Sequence, residues 1–302
     1  MEVINSDYQL EKIFVGIGCD VNQLLAAEVL KFSILSNDSE NITASYLNDH
    51  PLWSEVVKSN LEQRTPFSLQ RFLCAKSVLD YDYKIGIYLD SDMITLKSLR
   101  ELEAKFIHSK KDISVISVKK EWNRRQQSSV LIFNQEGARK LWSSYKKYLR
   151  QDISYDELVY LKTINDIGNI DYSWNCLEYI DQNTALIHYT DMDTQPWLRN
   201  GNSNAGIWYS YLWSYIQKKE NEMIFLNEIK LKNVRPSLIT IKNFGPSVSV
   251  FPISLRLKDI NFVPKHRFNN LFGNLLRKFV PVLLRLVLEA SFLKANGNPN
   301  IR

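Results

Sequence analysis

Two aspartates separated by a single residue follow an apolar run in the sequence IYLDSDM, residues 87–93. The run at residues 85–89 has strand length and no polar alternation, which predicts a strand buried on both faces. Open α/β sheets bind ligands at the carboxyl ends of such strands, and alternate residues of an extended segment point the same way. Asp90 and Asp92 are therefore expected to converge, and converging carboxylates repel unless a proton or cation lies between them. A hard divalent ion would also bridge phosphates; the alternative is a solvated loop with incidental acids.

A histidine follows a second short apolar run in IHYTDMDTQPW, residues 187–197. Residues 185–189 predict a short strand, so His188 is also expected at a strand end. An imidazole added to two carboxylates shifts the expected metal from Mg²⁺ towards Mn²⁺ or another first-row ion. A lone histidine is also commonly an ordinary core or surface residue. Asp191 and Asp193 are either groups that orient the ligands or loop residues.

The elements expected to position these residues belong to an α/β fold. A strand at residues 12–17 is followed at once by a helix at residues 22–35, which is the typical opening of that class. Apolar, β-branched runs predict strands, and apolar residues at helical spacing predict helices. We expect a mixed, mostly parallel sheet flanked by helices. The further predicted elements are helices at residues 68–79 and 156–161 and strands at residues 113–118 and 130–133.

The composition is that of an ordinary globular protein, since 45% of the 302 residues are hydrophobic and 24% are charged. That length suits one large domain or two small ones. The net charge of +5 fits contact with phosphates or an anionic membrane face but is too weak to indicate nucleic-acid binding. Three scattered cysteines, Cys19, Cys74 and Cys176, predict neither a zinc site nor disulfides and fit a reducing compartment. The first residues lack a secretory signal pattern, so we expect a cytoplasmic location.

The order of the motifs resembles that of GT-A fold glycosyltransferases, and most of all the family 8 type, which includes lipopolysaccharide sugar transferases and glycogenin-like enzymes. The resemblance covers roughly residues 12–215. It implies a Rossmann-like fold that binds a UDP-sugar with Mn²⁺, or Mg²⁺ in its place, and transfers a hexose with retention to a glycan or glycolipid acceptor. The motifs that carry it are KIFVGIGCD, AAEVLKFSIL, TPFSLQRF, IYLDSDMITLKSLREL, SSVLIFN and HYTDMDTQPW.

The resemblance also implies roles for the matching residues. Asp90 and Asp92 correspond to metal-binding aspartates, and His188 to the histidine that completes the metal site. An arginine near the donor phosphates suits its planar, permanently charged group. The residues implied for donor binding are Cys19 and Asp20 at the uracil and ribose, Arg71 at the phosphates and sugar, and Ser91 between the two aspartates.

The region around the donor sugar departs from the family pattern. Ser128 and Ser129 fall where relatives carry a small polar segment, and Asp156 and Glu157 fall near an acidic or amide pair beside the reacting carbon. Gln195 stands where a lysine would reach the phosphates, and a neutral amide donates a hydrogen bond without supplying a charge. The donor sugar and the catalytic group therefore stay open.

Two other functions remain as alternatives. A nucleotidyltransferase also holds a nucleotide on carboxylate-bound metal, but it usually has a glycine-rich, basic loop after the first strand. Gly16-Ile17-Gly18 is short and has no lysine or arginine directly after it. The second alternative is a relative that binds nucleotide-sugars without catalysis, which is consistent with glutamine in place of lysine at position 195.

The C-terminal part differs in pattern from the rest. We expect a catalytic domain at residues 1–220 and an extension at residues 221–302. Residues 275–294, LLRKFVPVLLRLVLEASFLK, have the length of a membrane span but carry too many charges to cross one. They predict a basic amphipathic helix that lies at an anionic membrane surface or docks on the protein core.

Overall fold

The computed structural model describes residues 12–38, 40–58, 68–116, 128–246, 259 and 262–264. The chain divides into two compact units, Met1–Asp191 and Met192–Arg302. The domain boundary expected near residue 220 stays a prediction, and residues 275–294 lie outside the described part of the chain.

A six-stranded mixed sheet forms the centre of the first unit. Its strand order is β2-β1-β3-β6-β5-β7, in which β6 is antiparallel to both of its neighbours and the other neighbouring pairs are parallel. This arrangement confirms the predicted α/β class with a mixed, mostly parallel sheet. The strands are β1 (Ile13–Gly18), β2 (Ile42–Tyr46), β3 (Ile85–Asp90), β5 (Ile113–Ile116), β6 (Val130–Asn134) and β7 (Gly168–Ile170).

A second, three-stranded sheet has the order β4-β9-β8. Its strands are β4 (Met93–Thr95), β8 (Cys176–Leu177) and β9 (Leu186–His188). Strands β4 and β9 are antiparallel and β8 and β9 are parallel. Because only two residues separate the end of β3 from the start of β4, this small sheet extends from the edge of the central sheet where β3 ends.

Helices cover the central sheet and produce two hydrophobic clusters in the first unit. Alternate residues of β1 contribute to different clusters: Ile13 and Val15 to one, and Phe14 to the other. This is the pattern of a strand buried on both faces. The helices of the first unit are α1 (Leu24–Asn37), α2 (Trp53–Lys58), α3 (Gln70–Asp80), α4 (Leu99–Ser109), α5 (Gln135–Leu149) and α6 (Tyr155–Val159).

The second unit contains helices α7 (Ala205–Tyr215), α8 (Lys219–Lys230) and α9 (Ile239–Phe244). Arg235 is completely buried there. Its guanidinium donates to Pro196 O over 3.0 Å, to Tyr209 Oη over 2.6 Å and to Asp259 Oδ2 over 3.1 Å. A buried charge needs such partners, so this hydrogen-bond network holds Asp259 in place within the second unit. No helix among the described residues is long and apolar enough to span a membrane.

The predicted elements agree with the structure in type, and their ends move by a few residues. The helix expected at residues 22–35 is α1, and the helix at residues 68–79 is α3. The helix expected at residues 156–161 is α6, which starts one residue earlier because Ser154 caps it and ends two residues sooner, at Val159. Of the strand predicted at residues 113–118, the structure describes Ile113–Ile116.

Candidate metal centre

Backbone pairing brings the predicted metal ligands together. Asp90 is the last residue of β3, and Asp92 lies in the turn just before β4. His188 ends β9 and is the pairing partner of Met93 in β4, and Tyr189 N donates to Asp92 O over 2.8 Å. One donor atom from each of the three side chains lies within 4.8 Å of the other two.

The turn that carries the aspartates is tied to the central sheet. Asp90 pairs with Gly18 at the end of β1, and Ser91 N donates to Gly18 O over 2.9 Å. The buried Ser91 hydroxyl donates to Gln23 Oε1 over 3.2 Å. The structure thus gives Ser91 a role in holding the turn, and its predicted contact with the donor stays a prediction.

The carboxyl group of Asp90 lies beside several charged and polar groups. Its pKa is raised to about 6, mainly by burial and also by the neighbouring charge of Asp92. Arg71, His188 and a hydrogen bond from Tyr88 act in the opposite direction. Tyr88 Oη donates to Asp90 Oδ1 over 2.6 Å. A carboxylate kept near its titration point by burial and like charge is one that a cation would stabilise.

His188 is buried between two polar partners. Its Nε2 lies 3.1 Å from Asp92 Oδ1, and its Nδ1 lies 2.9 Å from Asn175 Oδ1. Burial lowers the pKa of the imidazole, but the charges of Asp92 and Asp90 and the hydrogen bond to Asp92 outweigh that effect, and the net pKa is raised. The contacts with Asp92 and Asn175 hold the ring with Nε2 directed at the carboxylates.

The three side chains fit a divalent first-row ion. Two carboxylates and an imidazole form a set that suits such ions. Their donor atoms lie within 4.8 Å of one another, so a small movement of the side chains would bring all three within ligand-bond length, about 2.1 Å, of one ion.

Arg71 adds a positive charge beside this cluster. It is the second residue of α3, its side chain is buried, and its guanidinium carbon lies 5.4 Å from the centre of the Tyr88 ring. Its charge lowers the pKa of Asp90. Its buried Nε has no hydrogen-bond partner among the described residues. Unsatisfied buried donors are costly, so a bound anion would complete this site.

The loop after β1 is fixed by Gln70, the first residue of α3. Gln70 Nε2 donates to Cys19 O, and Cys19 N donates to Gln70 Oε1, both over 2.8 Å. The Asp20 carboxylate accepts from Asn22 N over 2.7 Å. Burial raises the pKa of the Cys19 thiol to about 12, so it stays neutral, and burial raises the pKa of Asp20 as well.

Two of the residues predicted near the donor sugar, Ser128 and Asp156, line a cavity of about 700 Å³ in the first unit. The neighbouring Ser129 is buried, its hydroxyl has no hydrogen-bond partner among the described residues, and its carbonyl accepts from Asp90 N over 3.3 Å. Ser129 therefore connects the edge of this cavity to the end of β3.

Glu157 is engaged in local structure. Its carboxylate accepts from Ser154 N over 2.8 Å and from Ser154 Oγ over 2.7 Å, while Ser154 caps the start of α6. This capping box satisfies backbone donors of the helix, and these hydrogen bonds lower the pKa of Glu157. Asp156 and Glu157 both lie outside the cluster formed by Asp90, Asp92 and His188.

Gln195 belongs to the second compact unit, where its side chain is buried. The backbone carbonyl of Gln195 accepts hydrogen bonds from Leu198 N and Arg199 N, both over 2.9 Å. The turn at residues 195–199 is thus ordered, and the expected contact of Gln195 with phosphates stays a prediction.

The sequence did not single out three side chains that hold the site: Tyr88, Gln70 and Asn175. Tyr88 lies within the apolar run of β3 and resembles a core residue. Gln70 directly precedes Arg71 at the start of a helix, and this position next to Arg71 is the feature of the sequence that could have pointed to it. Asn175 lies directly before β8, whose two residues are too few to show a strand pattern.

No model of a protein family matches the sequence, and no curated protein matches it either. Several solved glycosyltransferase structures are similar to part of the chain. An active-site mutant of LgtC is 13% identical over 67% of this chain and 95% of its own, with a TM-score of 0.49. Apo WbbM, a bifunctional glycosyltransferase, is 12% identical over 69% of this chain and 50% of its own, with a TM-score of 0.49. Apo GlyE from Streptococcus pneumoniae is 13% identical over 74% of this chain and 64% of its own, also with a TM-score of 0.49.

Proposed function

We propose that this protein is a metal-dependent glycosyltransferase of GT-A fold that moves a hexose from a UDP-sugar to a glycan or glycolipid acceptor, with retention of the anomeric configuration. The observation that carries the proposal is the convergence of Asp90, Asp92 and His188 where β3 ends, with donor atoms within 4.8 Å of one another. Nucleotides and phosphates bind at this edge of α/β sheets. The ligand set favours Mn²⁺, with Mg²⁺ as a substitute.

The leaving diphosphate is the group that the site is built to receive. Breaking the bond between the anomeric carbon and the diphosphate oxygen leaves the electron pair and the negative charge on the diphosphate. A divalent ion held by Asp90, Asp92 and His188 would stabilise that charge. Arg71 adds a guanidinium whose buried Nε lacks a partner among the described residues. Each such preorganised group contributes about 10²–10³-fold to the rate.

The loop after β1 would hold the nucleoside. We assign Cys19 and Asp20 to the uracil and ribose, as the resemblance implies, and Gln70 fixes the Cys19 peptide through two hydrogen bonds of 2.8 Å. A neutral thiol acts there through packing and hydrogen bonding, because its pKa of about 12 removes it as a nucleophile at neutral pH.

We assign Asp156 to the neighbourhood of the reacting carbon. Retention follows either from attack on the face that the diphosphate leaves or from two displacements through a side-chain nucleophile. Asp156 lines the same cavity as Ser128. Glu157 is the weaker candidate because its carboxylate caps α6 through Ser154.

The test is turnover of UDP-hexoses with Mn²⁺ and after its removal by a chelator. We expect release of UDP only with the metal, and a loss of about 10²–10³-fold in kcat/KM for Asp92→Asn. Asp152→Asn is the matched control, because Asp152 forms an exposed ion pair with Arg150 over 3.0 Å. Such pairs contribute little, so its kcat/KM should equal that of the wild type.

The other functions give different results. Release of pyrophosphate from a nucleoside triphosphate and a sugar phosphate, with UDP-sugars left intact, would identify a nucleotidyltransferase. Metal-dependent binding of UDP-sugars with no turnover for any acceptor tested would identify an inactive relative.

A further inference from the structure

His188 is held on both sides of its ring, and Asn175 provides the side away from the carboxylates. Nδ1 lies 2.9 Å from Asn175 Oδ1, and Nε2 lies 3.1 Å from Asp92 Oδ1. Asn175 is completely buried and His188 is 3% exposed. The contact between them is therefore shielded from water.

The fold holds Asn175 in place through the small second sheet. Asn175 follows the 3-10 helix Tyr172–Trp174, and its N–H donates to Tyr172 O over 2.8 Å. The next residue begins β8, which pairs in parallel with β9, and Leu177 is the partner of His188. A change in the position of Asn175 would therefore have to disturb the strand next to the imidazole.

The chemistry of this contact determines which nitrogen of His188 can bind a metal. An amide oxygen only accepts hydrogen bonds, so a neutral imidazole bonded to it carries its hydrogen on Nδ1. When a metal takes the place of the hydrogen that Nε2 shares with Asp92, the lone pair on Nε2 is therefore the one directed at the metal. Groups that bond the far nitrogen of a metal-binding histidine fix its tautomer and ring orientation.

We propose that Asn175 is a positioning residue that holds His188 as a metal ligand through Nε2. The inference depends on the metal site of the proposed function and adds the residue that makes one of its three ligands competent. Asn175 Nδ2 is buried and has no hydrogen-bond partner among the described residues. An unsatisfied buried donor is a cost. The opposite amide orientation would place this donor, and not the acceptor oxygen, against Nδ1, and the hydrogen of a neutral ring would then lie on Nε2.

The test compares two substitutions of Asn175 with the same change elsewhere. Asn175→Leu removes the acceptor, whereas Asn175→Asp keeps an oxygen at the same distance. Asn233→Leu is the matched control, because Asn233 is also buried and donates to Glu228 Oε2 over 2.9 Å in the other compact unit. Mn²⁺ affinity is measured by calorimetry without any nucleotide-sugar, after circular dichroism has shown that each variant is folded.

We expect Asn175→Leu to bind Mn²⁺ about 10- to 100-fold more weakly, and Asn175→Asp and Asn233→Leu to bind it nearly as tightly as the wild type. Equal affinities for Asn175→Leu and wild type would overturn the inference, as would equal weakening in Asn175→Asp and Asn175→Leu. Wild-type protein that binds no divalent ion would overturn the proposed function as well, so the two failures are distinguishable.

A second measurement shows directly which ring nitrogen of His188 carries the hydrogen and which binds the metal. ¹⁵N-labelled histidine in protein saturated with Mg²⁺ or Zn²⁺ gives separate shifts for protonated and metal-bound ring nitrogens, and His188→Gln assigns the signals. We expect a hydrogen on Nδ1 and a metal on Nε2 in the wild type. A hydrogen that remains on Nε2 in the loaded protein would contradict the role given to Asn175.

Discussion

Neutral side chains hold the ligands of the candidate metal centre. Tyr88 donates to Asp90 over 2.6 Å, and Asn175 bonds His188 over 2.9 Å. Gly18 makes room for the tyrosine, since a Cβ there would lie 2.3 Å from Tyr88 Oη. Neutral partners orient a carboxylate and an imidazole without neutralising the charge that attracts a cation.

The effect of Tyr88 on metal binding is testable through pH. Burial raises the pKa of Asp90 to about 6, and the hydrogen bond from Tyr88 lowers it. A metal needs the deprotonated carboxylate, so Mn²⁺ affinity should fall as pH decreases through this range. Tyr88→Phe removes the hydrogen bond, which raises the pKa of Asp90 further. We expect the pH of half-maximal Mn²⁺ affinity to increase by about one unit, since a hydrogen bond to a charged group contributes about 1.5–3 kcal/mol.

Tyr155→Phe is the control for this measurement, because Tyr155 is also buried and its hydroxyl donates to Ser68 Oγ over 2.7 Å. Its pH profile of Mn²⁺ binding should match the wild type. A profile of Tyr88→Phe that stays unchanged, or moves to lower pH, would contradict the role of the hydroxyl.

The ligands were predictable because each stands where an apolar run ends. Asp90 ends β3, Asp92 follows two residues later, and His188 ends β9, so the ends of the apolar runs pointed to all three. Their supporting residues were not predictable in the same way. Tyr88 is hidden in an apolar run, and the contact of Asn175 with His188 depends on pairing between β8 and β9, which have two and three residues.

Strands and helices of the central sheet follow from local pattern, whereas the strand pairing of the small sheet does not. Strand β3 shows five buried residues in a row before Asp90, a pattern that sequence reveals. The pairing of β4 with β9 joins Met93 to His188. Three-residue strands contain no periodicity from which such a distant contact could be read. Yet this pairing is what brings the histidine to the aspartates.

Helix α3 links two parts of the proposed donor site through adjacent residues. Gln70 binds both polar groups of the Cys19 peptide, and Arg71 lies beside Asp90. Gln70→Leu leaves a buried N–H and a buried C=O unsatisfied, at about 1–3 kcal/mol each. We expect a lower free energy of unfolding by denaturant and UDP binding at least tenfold weaker, with Mn²⁺ affinity in the absence of UDP nearly unchanged.

Gln217→Leu provides the comparison for Gln70→Leu. Gln217 is exposed, and its side-chain amide donates to the carbonyl of Trp213 over 2.7 Å. Its stability and UDP binding should stay close to those of the wild type. If Gln70→Leu bound UDP as tightly as the wild type, the loop after β1 would have no part in nucleotide binding.

At the scale of the whole molecule, the first compact unit contains the candidate metal ligands, the hydrogen bonds between Gln70 and Cys19, and the cavity lined by Ser128. The second unit is organised around the buried Arg235 and its bond to Asp259. The expected amphipathic helix at residues 275–294 and its contact with a membrane stay predictions from the sequence, as does the cytoplasmic location. The oligomeric state has no signal in composition or motif, because self-association depends on surface shape and not on local pattern.

The central claim is that Asp90, Asp92 and His188 together bind one divalent ion. Crystals grown with Mn²⁺ and UDP, measured near the manganese absorption edge, locate the ion by its anomalous signal. We expect one strong peak about 2.1–2.3 Å from an oxygen of each aspartate and from His188 Nε2, and its loss in Asp92→Asn. A peak that excludes His188, or no peak at saturating Mn²⁺, would contradict the metal site and the glycosyltransferase mechanism built on it.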